Sequence, residues 1–177
     1  MPSLKTILLL FFTATLLRIG SPAFADNYYL NIPTIQGESL ATGHVGTIEA
    51  ASFSLTCSNS GAGVVFGDFA LTKYLDKSSP PLFLATAQGT VLGTSTPVTF
   101  YAQKQVGSGN YADYYLIKLT NAKVSSVVQN GNGADRPSET VTFRYQRIEI
   151  NYILFNSNGT VQQTVVMRWD LTTNSTF

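Results

Sequence analysis

The sequence predicts an all-β domain with one short helix, and three observations carry that expectation. Apolar and polar residues alternate with period two over most of the chain, the pattern of strands with one buried face. Aromatic residues make up 12% of the chain, with 11 Phe and 9 Tyr, and these side chains suit a pleated, half-buried surface. Only residues 79–89 combine a helix start with a helix stop. Two long strands also invert their alternation midway, which points to a closed barrel or a strongly bent two-sheet sandwich.

Taken in chain order, residues 28–32 form the first expected strand. Residues 47–57 follow, with Ile48 on one parity and Phe53, Leu55 and Cys57 on the other. Residues 64–73 read as a further strand. Ser79 can then cap a helix, Pro80 fits its first turn, and Gly89 stops it. So short a helix must dock, and its Leu82, Phe83 and Thr86 side is expected to face the sheet. Strands 98–103 and 114–128 come next, and the second can break near Asn121. Val141, Phe143 and Tyr145 are apolar on odd positions, whereas Ile148, Ile150 and Tyr152 are apolar on even ones. One extra residue near Gln146 and Arg147, or a corner between sheets, inverts a strand in this way. Asn156-Ser157-Asn158-Gly159 is a hairpin turn signal. The last strand alternates Val161, Val165, Met167, Trp169 and Leu171 against Gln162, Thr164, Arg168 and Asp170, and is expected to bury the first set.

The N-terminus reads as a secretory signal over residues 1–25. Lys5 supplies the positive start, residues 6–17 the short apolar stretch, and Ala23-Phe24-Ala25 the small-x-small cleavage pattern, with Asp26 as the first mature residue. Arg18 leaves a second reading open, in which the segment stays attached as an anchor. Residues 26–177 then form a single domain, expected to be exported to the periplasm or the cell exterior. A domain of this size buries roughly 70% of its unfolded surface and needs no disulfide. Cys57 is the only cysteine, so no intrachain disulfide can form. Its parity with Phe53 and Leu55 places it in the core, against the alternatives of a free thiol or an intermolecular bridge.

Catalytic chemistry is missing from the sequence. His44 is the only histidine, and no Gly-x-Ser-x-Gly elbow accompanies it. One Cys and one His cannot build a zinc site. Glu38 with Glu49, or Asp135 with Glu139, could be paired across a sugar, but solvated loop and strand faces explain them more simply. Neither a catalytic residue nor a cofactor or metal ligand is expected. With 12% charged residues and a net charge of +1, the chain lacks the basic footprint of a nucleic-acid binder.

Several short segments occur in a particular order. Tyr29-Leu30-Asn31-Ile32-Pro33 leads into Gln36-Gly37-Glu38-Ser39 and then Gly43-His44-Val45-Gly46-Thr47-Ile48-Glu49. Phe69-Ala70-Leu71-Thr72-Lys73-Tyr74-Leu75-Asp76-Lys77 and Ser79-Pro80-Pro81-Leu82-Phe83 follow. Val124-Ser125-Ser126-Val127, Asp135-Arg136-Pro137-Ser138-Glu139, Ile148-Glu149 and Trp169-Asp170-Leu171 complete the set. This collinear set, spanning residues 28–173, resembles the haemolysin-coregulated protein (Hcp) family, the tube subunits of type VI secretion. The resemblance implies a small β-barrel of two sheets flanked by one short α-helix. It also implies self-assembly into hexameric rings that stack into a tube, with secretion spike, sheath or effector proteins as further partners and no enzymatic role. Glu38 and His44 correspond to family segments near ring contacts, so both are candidate assembly residues. His44 is equally readable as a loop histidine hydrogen-bonded within its own subunit.

One feature departs from the family. Its members mostly lack a secretion signal, because the tube is built in the cytoplasm, whereas residues 1–25 predict export here. The alternative is therefore an exported Hcp-like binding module, using Tyr111, Tyr114 and Tyr115 to hold a carbohydrate or a cell-surface ligand. No membrane association is expected once the signal is removed, and alternation in the last strand fails at Thr173 and Ser175, unlike a membrane barrel.

Overall fold

The computed structural model describes residues 26–177 apart from Ala62 and Ser108. The expected signal segment, with Ala25 at its end, lies outside the described residues. Along the chain run β1 (Asn27–Asn31), β2 (Ile48–Ala50), β3 (Ser52–Ser54), β4 (Cys57–Asn59), β5 (Val64–Phe66) and β6 (Phe69–Tyr74). Helix α1 (Ser79–Gln88) follows, then β7 (Val98–Val106), β8 (Asn110–Thr120), β9 (Lys123–Asn130), β10 (Ser138–Arg144), β11 (Arg147–Phe155) and β12 (Val161–Asp170). The strands pair antiparallel into a six-stranded sheet of order β12-β11-β8-β7-β1-β2 and a four-stranded sheet of order β3-β6-β10-β9. The hairpin β4-β5 stands apart.

Both sequence inversions fall where the chain leaves one sheet for the other. Ala51 separates β2 from β3, and its N–H donates to Thr72 O at 2.8 Å. Tyr145 and Gln146 separate β10 from β11, and the Tyr145 hydroxyl donates to Gly67 O at 2.9 Å. A third crossing lies between β8 and β9 at Asn121, whose φ of 52° turns the chain. These passages bend the structure without closing it. Among the described residues β12 and β2 remain open edges of the larger sheet, which corrects the closed-barrel expectation. Two inner faces supply the core: Phe100, Ile117, Leu119 and Ile148 from one sheet, Phe69, Leu71, Val141 and Phe143 from the other. The Phe69 and Phe100 rings meet across it at 5.5 Å between centroids.

Two local expectations need correction. Ser78, not Ser79, occupies the helix N-cap, and Gly89 ends the helix at φ 63°. Ser79, Leu82 and Ala85 face inward, while Phe83 is 43% exposed. Phe83 lies about 100° around the helix from Leu82 and so misses the inward stripe. Cys57 is exposed rather than in the core. The parity shared with Phe53 holds only inside β3, and by Cys57 the chain has entered the separate β4-β5 hairpin.

Candidate assembly surface

Glu38 and His44 both lie in the loop between β1 and β2. Its motif residues have separate physical tasks. A Cβ on Gly37 would lie 2.3 Å from Thr47 O and 2.5 Å from Ile48 Cα, so only glycine fits against the incoming β2. Gly43 and Gly46 adopt positive φ of 84° and 78°. Backbone bonds Gly37 N to Gly46 O, Gly46 N to Ser39 O and Ser39 N to Thr47 O close the loop on itself. Glu38 is exposed, and its Oε1 accepts from Lys77 N at 3.0 Å.

His44 is 4% exposed, and its side chain is engaged by residues of its own chain. Its ring stacks on Tyr29 at 4.1 Å and 7° and meets the Tyr101 edge at 5.0 Å. Nε2–H donates to Asp113 Oδ1 at 2.8 Å. Sequence reasoning missed Asp113. It shares the parity of the buried Ile117 and Leu119, so a regular β8 would point it at the core. The register shifts between Ala102 and Gln103, which pair with Tyr115 and Asp113 and leave Tyr114 extra. That bulge moves Asp113 onto the outer face with Tyr29 and Tyr101. An acidic residue on the core parity of a strand was the available signal. The loop's outer side carries Leu40 and Val45, which are 86% and 72% exposed.

The acidic pairs considered from sequence part company. Glu139 is fully buried, with Lys73 Nζ donating to its Oε1 at 2.7 Å, Ser79 Oγ at 2.8 Å, and Gln129 Nε2 to its Oε2 at 2.9 Å. Lys73, equally buried, also donates to Asp76 Oδ1 at 2.8 Å and Tyr74 O at 2.9 Å. Burial pushes the Asp76 carboxyl up, but hydrogen bonds from Lys73 and Ser78 outweigh it and hold it below the usual range. This cluster ties the start of α1 to β6 and β10. Asp135 stays exposed, and neighbouring Arg136 lies over the Tyr74 ring at 5.0 Å. Of the three tyrosines proposed as a binding platform, only Tyr111 is mostly exposed, at 55%. Tyr114 and Tyr115 are half-buried, and the Tyr114 hydroxyl donates to Asp26 Oδ2 at 2.8 Å.

The last strand departs furthest from expectation. β12 pairs with β11 in the register Trp169 to Ile148, Met167 to Ile150 and Val165 to Tyr152, and those β11 residues pair with Leu119, Ile117 and Tyr115. Its apolar set therefore continues the core face of the six-stranded sheet. The face continues past its cover, however. Val165 and Met167 are 52% and 36% exposed, and the adjoining Tyr152 is 41% exposed; Val161, expected on the same face, pairs with Phe155 beyond a register shift and so turns to the other face, 58% exposed. Among the described residues Trp169 gains a cover from Phe66 of the small hairpin, with ring centroids 6.0 Å apart. Among the described residues β12 is an edge strand, so it presents unpaired backbone groups beside the exposed side chains of Val165 and Met167. Such an edge sticks to other chains unless an intended partner takes it.

The chain resembles known proteins along most of its length. Protein hcp1 of Pseudomonas aeruginosa is 34% identical over 86 residues, 48% of this chain and 51% of that protein. The chain thus spans about half the length of the curated relative it matches. A structure described as a type six secretion system protein superposes with a TM-score of 0.76 at 26% identity, covering 85% of this chain and 99% of that one. Hcp1 from Salmonella typhimurium has the same fold, with a TM-score of 0.73 at 22% identity over 86% of this chain and 99% of that one. The family model for "Type VI secretion system effector, Hcp" matches residues 29–152, from β1 through most of β11, and with that match the chain belongs to the Hcp family.

Proposed function

We propose that this chain is a ring-forming, non-enzymatic subunit of the type VI secretion tube kind, whose principal partner is a second copy of itself. The uncovered apolar face of β12 carries the reading. The strand has the alternation of a half-buried element, yet its own subunit covers little of it. Family membership supports the occupant, because the Hcp resemblance implies hexameric rings, and a ring closes through one repeated head-to-tail contact. An edge strand of one copy meeting a different surface of the next is the kind of contact that closes a ring. Secretion spike, sheath or effector proteins would be secondary partners. Residues 1–25 would direct export, with Asp26 left as the mature N-terminus. N-terminal sequencing of the exported protein checks that route.

Light scattering on a sizing column tests assembly. The purified protein, in the form that export leaves, should run as a closed oligomer with a hexameric mass. A strict monomer at the highest concentration it tolerates would overturn the reading. The half-burial of Tyr114 and Tyr115 weighs against the rival binding module, and a glycan array should return no ligand.

A further inference from the structure

His44 is the best-held residue of a loop that otherwise projects apolar groups into solvent. It is stacked on Tyr29, edged by Tyr101 and hydrogen-bonded to Asp113 on β8. Its backbone N–H donates to Ala41 O at 2.9 Å, and its carbonyl accepts from Thr47 N at 3.1 Å and from Thr47 Oγ1 at 2.7 Å. The loop is thus attached to β1, β7 and β8 through one side chain. Glu38 attaches its other limb to Lys77, ahead of α1. Leu40 and Val45 lie between and beside these anchors and remain exposed. A loop that is pinned while displaying two large apolar side chains is prepared for contact, since ordering it beforehand removes part of the entropic cost of association.

We infer that His44 and Asp113 are positioning residues for self-association: they fix the 37–47 loop so that Leu40 and Val45 are presented to a second copy of the chain. This rests on the ring-subunit reading above. The bulge at Tyr114 belongs to the device, because it brings the Asp113 carboxylate to the histidine's face of the sheet. His44 itself is buried among its own chain's residues. Its contribution is the loop's shape.

Hydrogen–deuterium exchange of the 37–47 amides, read beside light scattering over a dilution series, separates shape from contact. The proteins compared are wild type, His44→Ala, Asp113→Leu, Asp113→Asn and the double variant Leu40→Ser with Val45→Thr. In His44→Ala and Asp113→Leu the Ser39, Gly46 and Thr47 amides should exchange at least tenfold faster, and the assembly midpoint should rise at least tenfold in concentration. Asp113→Asn keeps an acceptor for Nε2–H and should restore both readouts most of the way. The tip double variant should lose assembly while its loop amides stay protected. A His44→Ala protein that melts with the wild type, frees its loop and still assembles normally would overturn the inference alone. So would loop protection that persists without His44. A monomeric wild type would overturn the ring reading and the inference with it. Should His44→Ala fail to fold, Asp113→Leu and the tip variant decide the matter.

Discussion

Replacing Lys73 with Met should be the most damaging single change in the second sheet, and its effect can be worked from the buried cluster. Lys73 and Glu139 are both 0% exposed in their side chains and 2.7 Å apart. Methionine matches the lysine stem in length but brings no charge and no donor. Glu139 would keep Ser79 and Gln129 as donors yet lose the cation beside it, and Asp76 would lose the same partner. Removing one member of a buried ion pair costs about 3–5 kcal/mol, because the other is left uncompensated. For a domain of this size each kcal/mol lowers Tm by about 2–4 °C, so a fall of about 6–20 °C is expected. Glu139→Gln should cost less, since Asp76 still neutralises Lys73. Lys73→Met with Glu139→Leu should cost less than the sum of Lys73→Met and Glu139→Leu, because the fully buried Glu139 carboxylate is then no longer stranded and only Asp76 loses its cation. Scanning fluorimetry at one fixed protein concentration measures wild type, Lys73→Met, Glu139→Gln, Glu139→Leu and the double variant, concentration being held because assembly raises Tm. A Lys73→Met protein melting within about 2 °C of wild type would refute the reasoning.

Three further outcomes follow from the same structure. Gly37→Ala forces a Cβ into Thr47 O and Ile48 Cα. It should cost about 1–3 kcal/mol as overpacking does, with denaturant titration as the check. Val165→Lys with Met167→Lys changes side chains already exposed in the monomer. Monomer stability should move by no more than about 0.5 kcal/mol per site, while light scattering should show assembly lost. Burial pushes the Glu149 carboxyl up, but hydrogen bonds from Lys118, Arg168 and Asn151 outweigh it and bring it from 4.5 down to about 2. A carboxyl depressed in the folded state stabilises above its unfolded value and loses that contribution as pH falls through the folded one. Tm should therefore drop between about pH 4.5 and 2, and Glu149→Gln should flatten that slope without abolishing it, because Asp170 and Asp76 are depressed too.

Strand identity, turns and crossings were legible because they are local. Period-two alternation sets which side chains share a face, and Asn156 to Gly159 turns as its residue types demand, with Gly159 at φ 83°. The inversions at Ala51 and at Tyr145 to Gln146 could be located as well, since a change of sheet must change which parity points inward. His44 could be singled out by its motif, but its partner could not, because the bulge at Tyr114 depends on how β7 and β8 align. The same limit explains Cys57 and β12. Alternation puts Val165 and Met167 on one face, but it does not show the register shift that turns Val161 to the other, nor whether another layer reaches that far. The second sheet ends short of β12, and its extent is set by strands distant in sequence. The residues of the proposed contact surface were therefore written in the chain, while their exposure was decided only when the two sheets packed.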